Sequence, residues 1–72
     1  MSKYVLSPMP GLLVDVAVQV GQKVQAGERV AVIEAMMMEN VLFAAADGIV
    51  SKVLASKGES LVLDQPIVEF EK

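Results

Sequence analysis

The sequence predicts an all-β fold, a small sandwich or flattened barrel of two antiparallel sheets related by a pseudo-two-fold repeat. Three observations lead to this prediction: alternating apolar and polar residues, glycines that recur at intervals, and a gapless internal repeat. No window of about 11 residues carries a capped helical stripe, which argues against a bundle. At 72 residues, the chain is expected to be a single domain over residues 1–72.

The clearest alternation runs from Leu12 to Val20. Every second residue of this stretch is apolar, and these residues are Leu12, Val14, Val16, Val18 and Val20. Asp15 and Gln19 fall on the opposite face, so the pattern predicts a strand with one buried face. Gly11, just before this stretch, is expected to relieve a tight bend where the chain enters the sheet.

Two halves of the chain repeat one pattern. A shift of 37 positions aligns identical residues in four pairs, which are Gly11 with Gly48, Val16 with Val53, Gly21 with Gly58 and Glu34 with Glu71. Each unit reads as a strand, a glycine turn, a short apolar segment, a polar turn and a strand. Because half of this pattern could not bury its own apolar face, we expect the units, about 8–35 and 45–72, to share one core.

The link between the units, roughly Ala35 to Asn40, has no counterpart within the repeat. An approximate two-fold axis would place this link opposite the chain termini. A hairpin on a rigid scaffold can present one side chain with little entropic loss. The link, hairpin 35–40, is therefore the candidate functional site.

Composition excludes several classes of function. The chain has no cysteine and no histidine, which removes disulfides, thiolate nucleophiles and the commonest general base. Six basic and nine acidic residues give a net charge of −3, without the basic cluster of a nucleic-acid binder. The longest apolar run, Val41 to Ala46, is far shorter than the roughly 20 residues of a membrane span. We expect a non-catalytic domain whose partners are proteins, not nucleic acid or membrane.

The hairpin carries the most informative motif. Its residues are Glu34, Ala35, Met36, Met37, Met38, Glu39 and Asn40. They resemble the Glu-Ala-Met-Lys-Met attachment motif of biotinyl domains at every position except Met37. The segments 7–11 and 20–24 also resemble the opening Pro-Met-Pro-Gly segment and the recurring turn of carboxylase carriers. The resemblance extends from about Tyr4 to Phe70 and implies the biotinyl/lipoyl-like hammerhead fold.

The resemblance implies a biotin carboxyl carrier of the acyl-CoA or propionyl-CoA carboxylase type. In that family a biotin protein ligase acylates the central lysine, and biotin then moves a carboxyl group from a biotin carboxylase domain to a carboxyltransferase domain. The implied partners are the biotin protein ligase, the biotin carboxylase domain and the carboxyltransferase domain. The implied cofactor is biotin, and the implied location is the cytoplasm, or the mitochondrial matrix in a eukaryote. The isolated domain is expected to be monomeric.

Met37 departs from this pattern at the acceptor position. A thioether has no amine, so an amide bond to biotin cannot form there, and the chain as written would carry no cofactor. Folding is expected to be insensitive to this residue, within about 0.5 kcal/mol, as at ordinary exposed turns. Of the three consecutive methionines, at least one should be exposed, because a strand alternates its faces.

Several alternatives stay open at this point. Met37 is either a deliberate replacement that keeps the length of lysine or a natural loss of the acceptor. A lipoyl domain has a similar repeat, but its hairpin usually reads Asp-Lys-Ala, whereas Met36 and Met38 match the biotinyl pattern. A non-carrier adaptor hairpin would explain Met37 but not its flanks. Glu34 and Glu39 are either solubility charges or contacts for the ligase.

Overall fold

The computed structural model describes residues 3–71, which form eight β-strands and no helix. The strands are β1 Tyr4–Leu6, β2 Gly11–Val16, β3 Lys23–Val24, β4 Arg29–Ala35, β5 Met38–Phe43, β6 Gly48–Val53, β7 Ser60–Leu61 and β8 Pro66–Phe70. Over this range, the chain has no helix long and apolar enough to cross a membrane.

The strands build two antiparallel sheets of four, ordered β1-β8-β6-β3 and β5-β4-β2-β7. A shift of 37 residues converts one order into the other, because it carries β2, β3 and β4 onto β6, β7 and β8. The predicted all-β fold with a pseudo-two-fold repeat is therefore confirmed, and each sheet takes strands from both units. The equivalence also relates β1 to residues 41–43 of β5, which lie outside the units 8–35 and 45–72 expected from the sequence.

The predicted inward face is correct in the middle of the stretch and wrong at its ends, because Val16 packs against the core and Val18 is buried, whereas Leu12 and Val20 are exposed. Leu13, rather than Leu12, is fully buried, and the strand ends at Val16, so that Val20 is exposed. The cause is a β-bulge, because Val14 is an extra residue in β2 relative to its partner β4. A bulge moves the alternation by one residue, so a period of two that fits Val16 and Val18 assigns Leu12 instead of Leu13 to the core.

One shared core lies between the sheets. Its most deeply buried members are Leu13, Val24, Val30, Ala31, Ile33, Val50, Leu61, Ile67 and Val68. The 37-residue shift relates eight of these nine to one another in pairs. Ser7 is the one buried polar residue of the part described, and its hydroxyl donates to the carbonyl oxygen of Met9 at 2.6 Å.

A side-chain pair joins the glycine turn to the polar turn in each unit. In the first unit, the amide nitrogen of Gln22 donates to a carboxylate oxygen of Glu28 at 3.3 Å. In the second unit, the amide nitrogen of Gln65 donates to a carboxylate oxygen of Glu59 at 2.8 Å. Gln22 is equivalent to Glu59, so the repeat keeps one amide and one carboxylate but exchanges their positions.

The chain bends at residues 8–10, just before Gly11, and close packing gives a second reason for glycine at this position. A Cβ atom at Gly11 would lie 2.7 Å from the carbonyl oxygen of Glu34 in the neighbouring strand. At the equivalent Gly48, the nearest atom would be a ring carbon of Phe70 at 3.3 Å. The first contact is with backbone that is fixed by sheet pairing, whereas the second is with a side chain that can move.

The Gly11→Ala variant should therefore lose about 1–3 kcal/mol of unfolding free energy, the usual cost of overpacking. The Gly48→Ala variant is the matched control and should stay within about 0.5 kcal/mol of the parent, because a small steric cost is offset by lower unfolded-state entropy. Urea denaturation of the two variants measures the difference. Equal losses would contradict the assignment of Gly11 to backbone contact.

The exchanged amide–carboxylate pairs predict a double-mutant cycle. Gln22→Glu should cost about 1 kcal/mol, because two carboxylates would then face each other. Adding Glu28→Gln should recover most of this loss, since the double variant reproduces the arrangement of Glu59 and Gln65. Chemical denaturation at neutral pH measures the unfolding free energies of the parent, the two single variants and the double variant. Strictly additive effects would show that the two side chains are not coupled.

Candidate functional site in the β4–β5 hairpin

The candidate site is a two-residue hairpin turn. Strands β4 and β5 pair as far as Ala35 with Met38, which leaves Met36 and Met37 as the turn. Their φ angles are 54° and 65°. Two positive φ angles in a two-residue hairpin are typical of a type I′ turn, whose twist matches that of the flanking strands. The turn is thus tighter than hairpin 35–40, since residues 38–40 already belong to β5.

All three hairpin methionines are exposed, so the expectation of at least one exposed side chain is confirmed. Their exposed fractions are 91% for Met36, 96% for Met37 and 66% for Met38. A left-handed backbone costs a non-glycine residue about 1–2 kcal/mol. Exposed apolar side chains also lower solubility. Strained, exposed residues of this kind cluster at functional sites rather than in filler segments.

The base of the hairpin is rigid, which fixes the position of the turn. Ala35 is buried, and β4 behind it contributes Ile33 and neighbouring residues to the core. The close approach of β2 at Gly11 packs directly against this base. On the other strand, the side-chain amide of Asn40 donates to the carbonyl oxygen of Met38 at 3.3 Å. A turn on such a support presents its side chains in a defined direction.

Two carboxylates lie behind the turn. Glu34 in β4 and Glu39 in β5 are both exposed and form a directly opposite cross-strand pair. Like charges in this position are mutually destabilising. Within residues 3–71, the one ion pair joins Lys3 to Glu69 at 3.6 Å, so it does not involve Glu34 or Glu39. The hairpin therefore offers negative charge to any partner that approaches the turn.

The lysines of the described range lie outside the β4–β5 turn. The lysines of the described range are Lys3, Lys23, Lys52 and Lys57, and Lys72 falls outside it. Lys23 and Lys52 lie within strands, and Lys57 lies beside Gly58 in the glycine turn of the second unit, which connects strands of different sheets. None of those in the described range occupies a two-residue hairpin turn. The same range contains no cluster of acidic residues suited to binding a metal ion.

A separate groove lies between the edge strands β1 and β5. Its volume is about 560 Å³, and its lining includes Tyr4, Leu6, Leu42, Phe43 and Phe70. The groove was not predicted from the sequence, because segments that are distant in the sequence form its lining. The groove contacts neither turn residue, so the hairpin and the groove are distinct features.

The sequence of this chain is similar to those of known proteins. Residues 3–70 match the family model described as biotin-requiring enzyme. The propionyl-CoA carboxylase alpha chain of Ruegeria pomeroyi is 56% identical over 70 residues, which cover 97% of this chain and 10% of that protein. The pyruvate carboxylase of Staphylococcus aureus is 34% identical over 64 residues, 89% of this chain and 6% of that protein. The chain thus spans a tenth or less of these relatives.

Solved structures agree with the sequence relatives. A single-chain, multi-domain long-chain acyl-CoA carboxylase superposes with a TM-score of 0.88 and 28% identity, covering 93% of this chain and 7% of that one. The urea carboxylase of Kluyveromyces lactis gives a TM-score of 0.87 and 29% identity, covering 94% and 6%. These findings confirm the family resemblance and the hammerhead fold. The chain therefore belongs to the biotin-requiring enzyme family, as a biotin carboxyl carrier domain of the kind found in biotin-dependent carboxylases.

Proposed function

We propose that this chain presents its β4–β5 turn to the active sites of a multi-component carboxylase, and that Met37 leaves it without the acceptor amine. The observation that carries this proposal is the position of Met37, the second residue of a type I′ turn with 96% of its surface exposed. Met36 and Met38 flank it as the family motif requires. The site residues are Glu34, Ala35, Met36, Met37 and Met38.

The turn fits biotin attachment in shape but not in chemistry. Methionine is unbranched and close to lysine in length, so the side chain reaches outward as the acceptor would. Its thioether sulfur does not form an amide bond with the carboxyl group of biotin. No carboxyl transfer is therefore assigned to this chain, and its residues supply only the scaffold and the presented turn.

The proposed partners are the other parts of a carboxylase and the enzyme that modifies its carrier. They comprise a biotin protein ligase, a biotin carboxylase domain and a carboxyltransferase domain, which hold the catalytic activities. The relatives that carry this domain include propionyl-CoA and pyruvate carboxylases. Tethering within such a protein raises the effective concentration of a carrier to about millimolar without new contacts. A carrier can thus contribute by reach and presentation, without a catalytic residue of its own.

A second candidate function is a natural non-carrier hairpin domain. Met37 itself favours it, because a domain that only docks has no need of an amine. The Glu-Ala-Met and Met flanks favour the carrier, since they match the attachment motif and a non-carrier hairpin leaves that match unexplained. Restoring the amine distinguishes the two, because only a carrier scaffold would then be recognised by the ligase.

The Met37→Lys variant should gain one biotin when incubated with a biotin protein ligase, biotin and ATP, as measured by intact mass. The parent chain should gain none. Met36→Lys is the matched control, because it places an equally exposed amine one position away in the same turn. We expect no modification of Met36→Lys under the same conditions. An unmodified Met37→Lys chain would contradict the carrier assignment, and equal modification of both variants would contradict the position of the acceptor.

Met37 should affect stability through its backbone conformation rather than its side-chain chemistry. The turn has the special geometry that the sequence analysis did not anticipate, with a φ of 65° at Met37. Met37→Lys should still stay within about 0.5 kcal/mol of the parent, since both side chains are unbranched and exposed. Met37→Gly should raise the unfolding free energy by about 1 kcal/mol, because glycine adopts this conformation without strain. Thermal and urea denaturation test both values, and a destabilised glycine variant would contradict the type I′ assignment.

A further inference from the structure

The internal repeat provides a reference for surface positions within the two units, because the same backbone environment occurs twice. The connection between β7 and β8 contains Val62 and Leu63, whose exposed fractions are 64% and 58%. The equivalent residues of the first unit, 37 positions earlier, are Gln25 and Ala26. The backbone at this position thus accepts a polar and a small residue, yet the second unit exposes two large apolar ones.

Strand register places these residues at the same end of the sheet as the hairpin turn. Leu12 in β2 pairs with Ser60 in β7 on one side and with Glu34 in β4 on the other. Moving along these strands toward the turn leads past Ser60 to Val62 and past Glu34 to Met36. Val62 and Met36 therefore lie at the same end of the sheet, two strands apart. Their lateral separation is about 10 Å at the usual strand spacing of roughly 4.8 Å.

The symmetry-related end of the molecule has a different surface. There, the carboxylate of Asp47 accepts a hydrogen bond from the backbone N–H of Ala26 at 2.8 Å. The counterpart of Asp47 is Pro10, which cannot supply a carboxylate. The hairpin end lacks this polar contact and carries exposed apolar residues instead. We call this surface the apolar end, and its residues are Met36, Met37, Met38, Val62 and Leu63.

Charge around the apolar end has one sign. Glu34 and Glu39 lie behind the turn, and Asp64 follows Leu63 in the β7–β8 connection. The segments that build this end, residues 7–12, 33–40 and 60–65, contain no lysine or arginine. Interfaces of this composition fit a partner with an apolar pocket bordered by basic side chains.

We propose that the apolar end is one docking surface, and that it binds an apolar, basic-rimmed site on the biotin protein ligase. This inference rests on the proposed function, because the ligase is the enzyme that would act on the turn. Val62 and Leu63 contact the ligase beside the turn and hold the turn in its active site. Docking needs no amine, so the chain with Met37 binds the ligase unproductively and competes with carriers that have the lysine.

The test is inhibition of biotinylation. The substrate is the Met37→Lys variant at fixed ligase, biotin and ATP, and the inhibitor is the chain with Met37. The inhibitor is compared with its Val62→Gln/Leu63→Ala double variant, which carries the residues of the first unit at these positions. Val20→Gln is the matched control, because Val20 is 65% exposed and lies in the β2–β3 connection, outside the apolar end.

We expect competitive inhibition by the parent, an inhibition constant about tenfold higher for the double variant, and a change below about twofold for Val20→Gln. Circular dichroism must show that all three fold alike. If the substrate is biotinylated but the parent does not inhibit, or the double variant inhibits equally well, the docking surface is wrong. An equal loss for Val20→Gln would also overturn it. A substrate that is never biotinylated would instead overturn the proposed function, and the inference with it.

Discussion

Neither half of this chain can bury its apolar side chains alone, and the rest of the structure depends on the shared core that results. Leu13 and Val50 occupy equivalent places in it, as do Val30 and Ile67, and all four are inaccessible to solvent. Each sheet takes strands from both units, so neither sheet can form until both units are present. A small chain thereby obtains one close-packed interior, and deletion of either half would expose a large apolar surface.

The repeat also determines where function can be placed without cost to this core. Strand positions within the two units occupy equivalent places in the sheets, as Leu13 and Val50 do, and those that face inward build the core. The β4–β5 turn is an exception, because its equivalent site lies between the chain-terminal strands β1 and β8. Strain at Met36 and Met37 is tolerated there because the pairing of Ala35 with Met38 and the buried β4 fix the turn from below.

Much of this arrangement was predictable from the sequence, and the exceptions have physical causes. Recurring glycines and the apolar pattern revealed the repeat, the sheets and the hairpin. The bulge at Val14 escaped prediction because it has no residue signature, and it places Leu13 instead of Leu12 in the core. The close packing at Gly11 also escaped prediction, since its close contact lies with a strand distant in sequence. The groove beside Phe43 arises from tertiary packing, so local patterns could not reveal it.

The position of the turn and the chemistry of the turn depend on different residues. Its position follows from strand pairing, a buried base and the approach of β2 at Gly11, and none of these involves the side chain of Met37. The chemistry of attachment would depend on that one side chain. Under the proposed function, methionine at position 37 would therefore lack the reactive group without altering the backbone, the flanking methionines or the nearby Val62 and Leu63. Under the same proposal, docking of the domain and modification of the turn would thus depend on different residues of this scaffold.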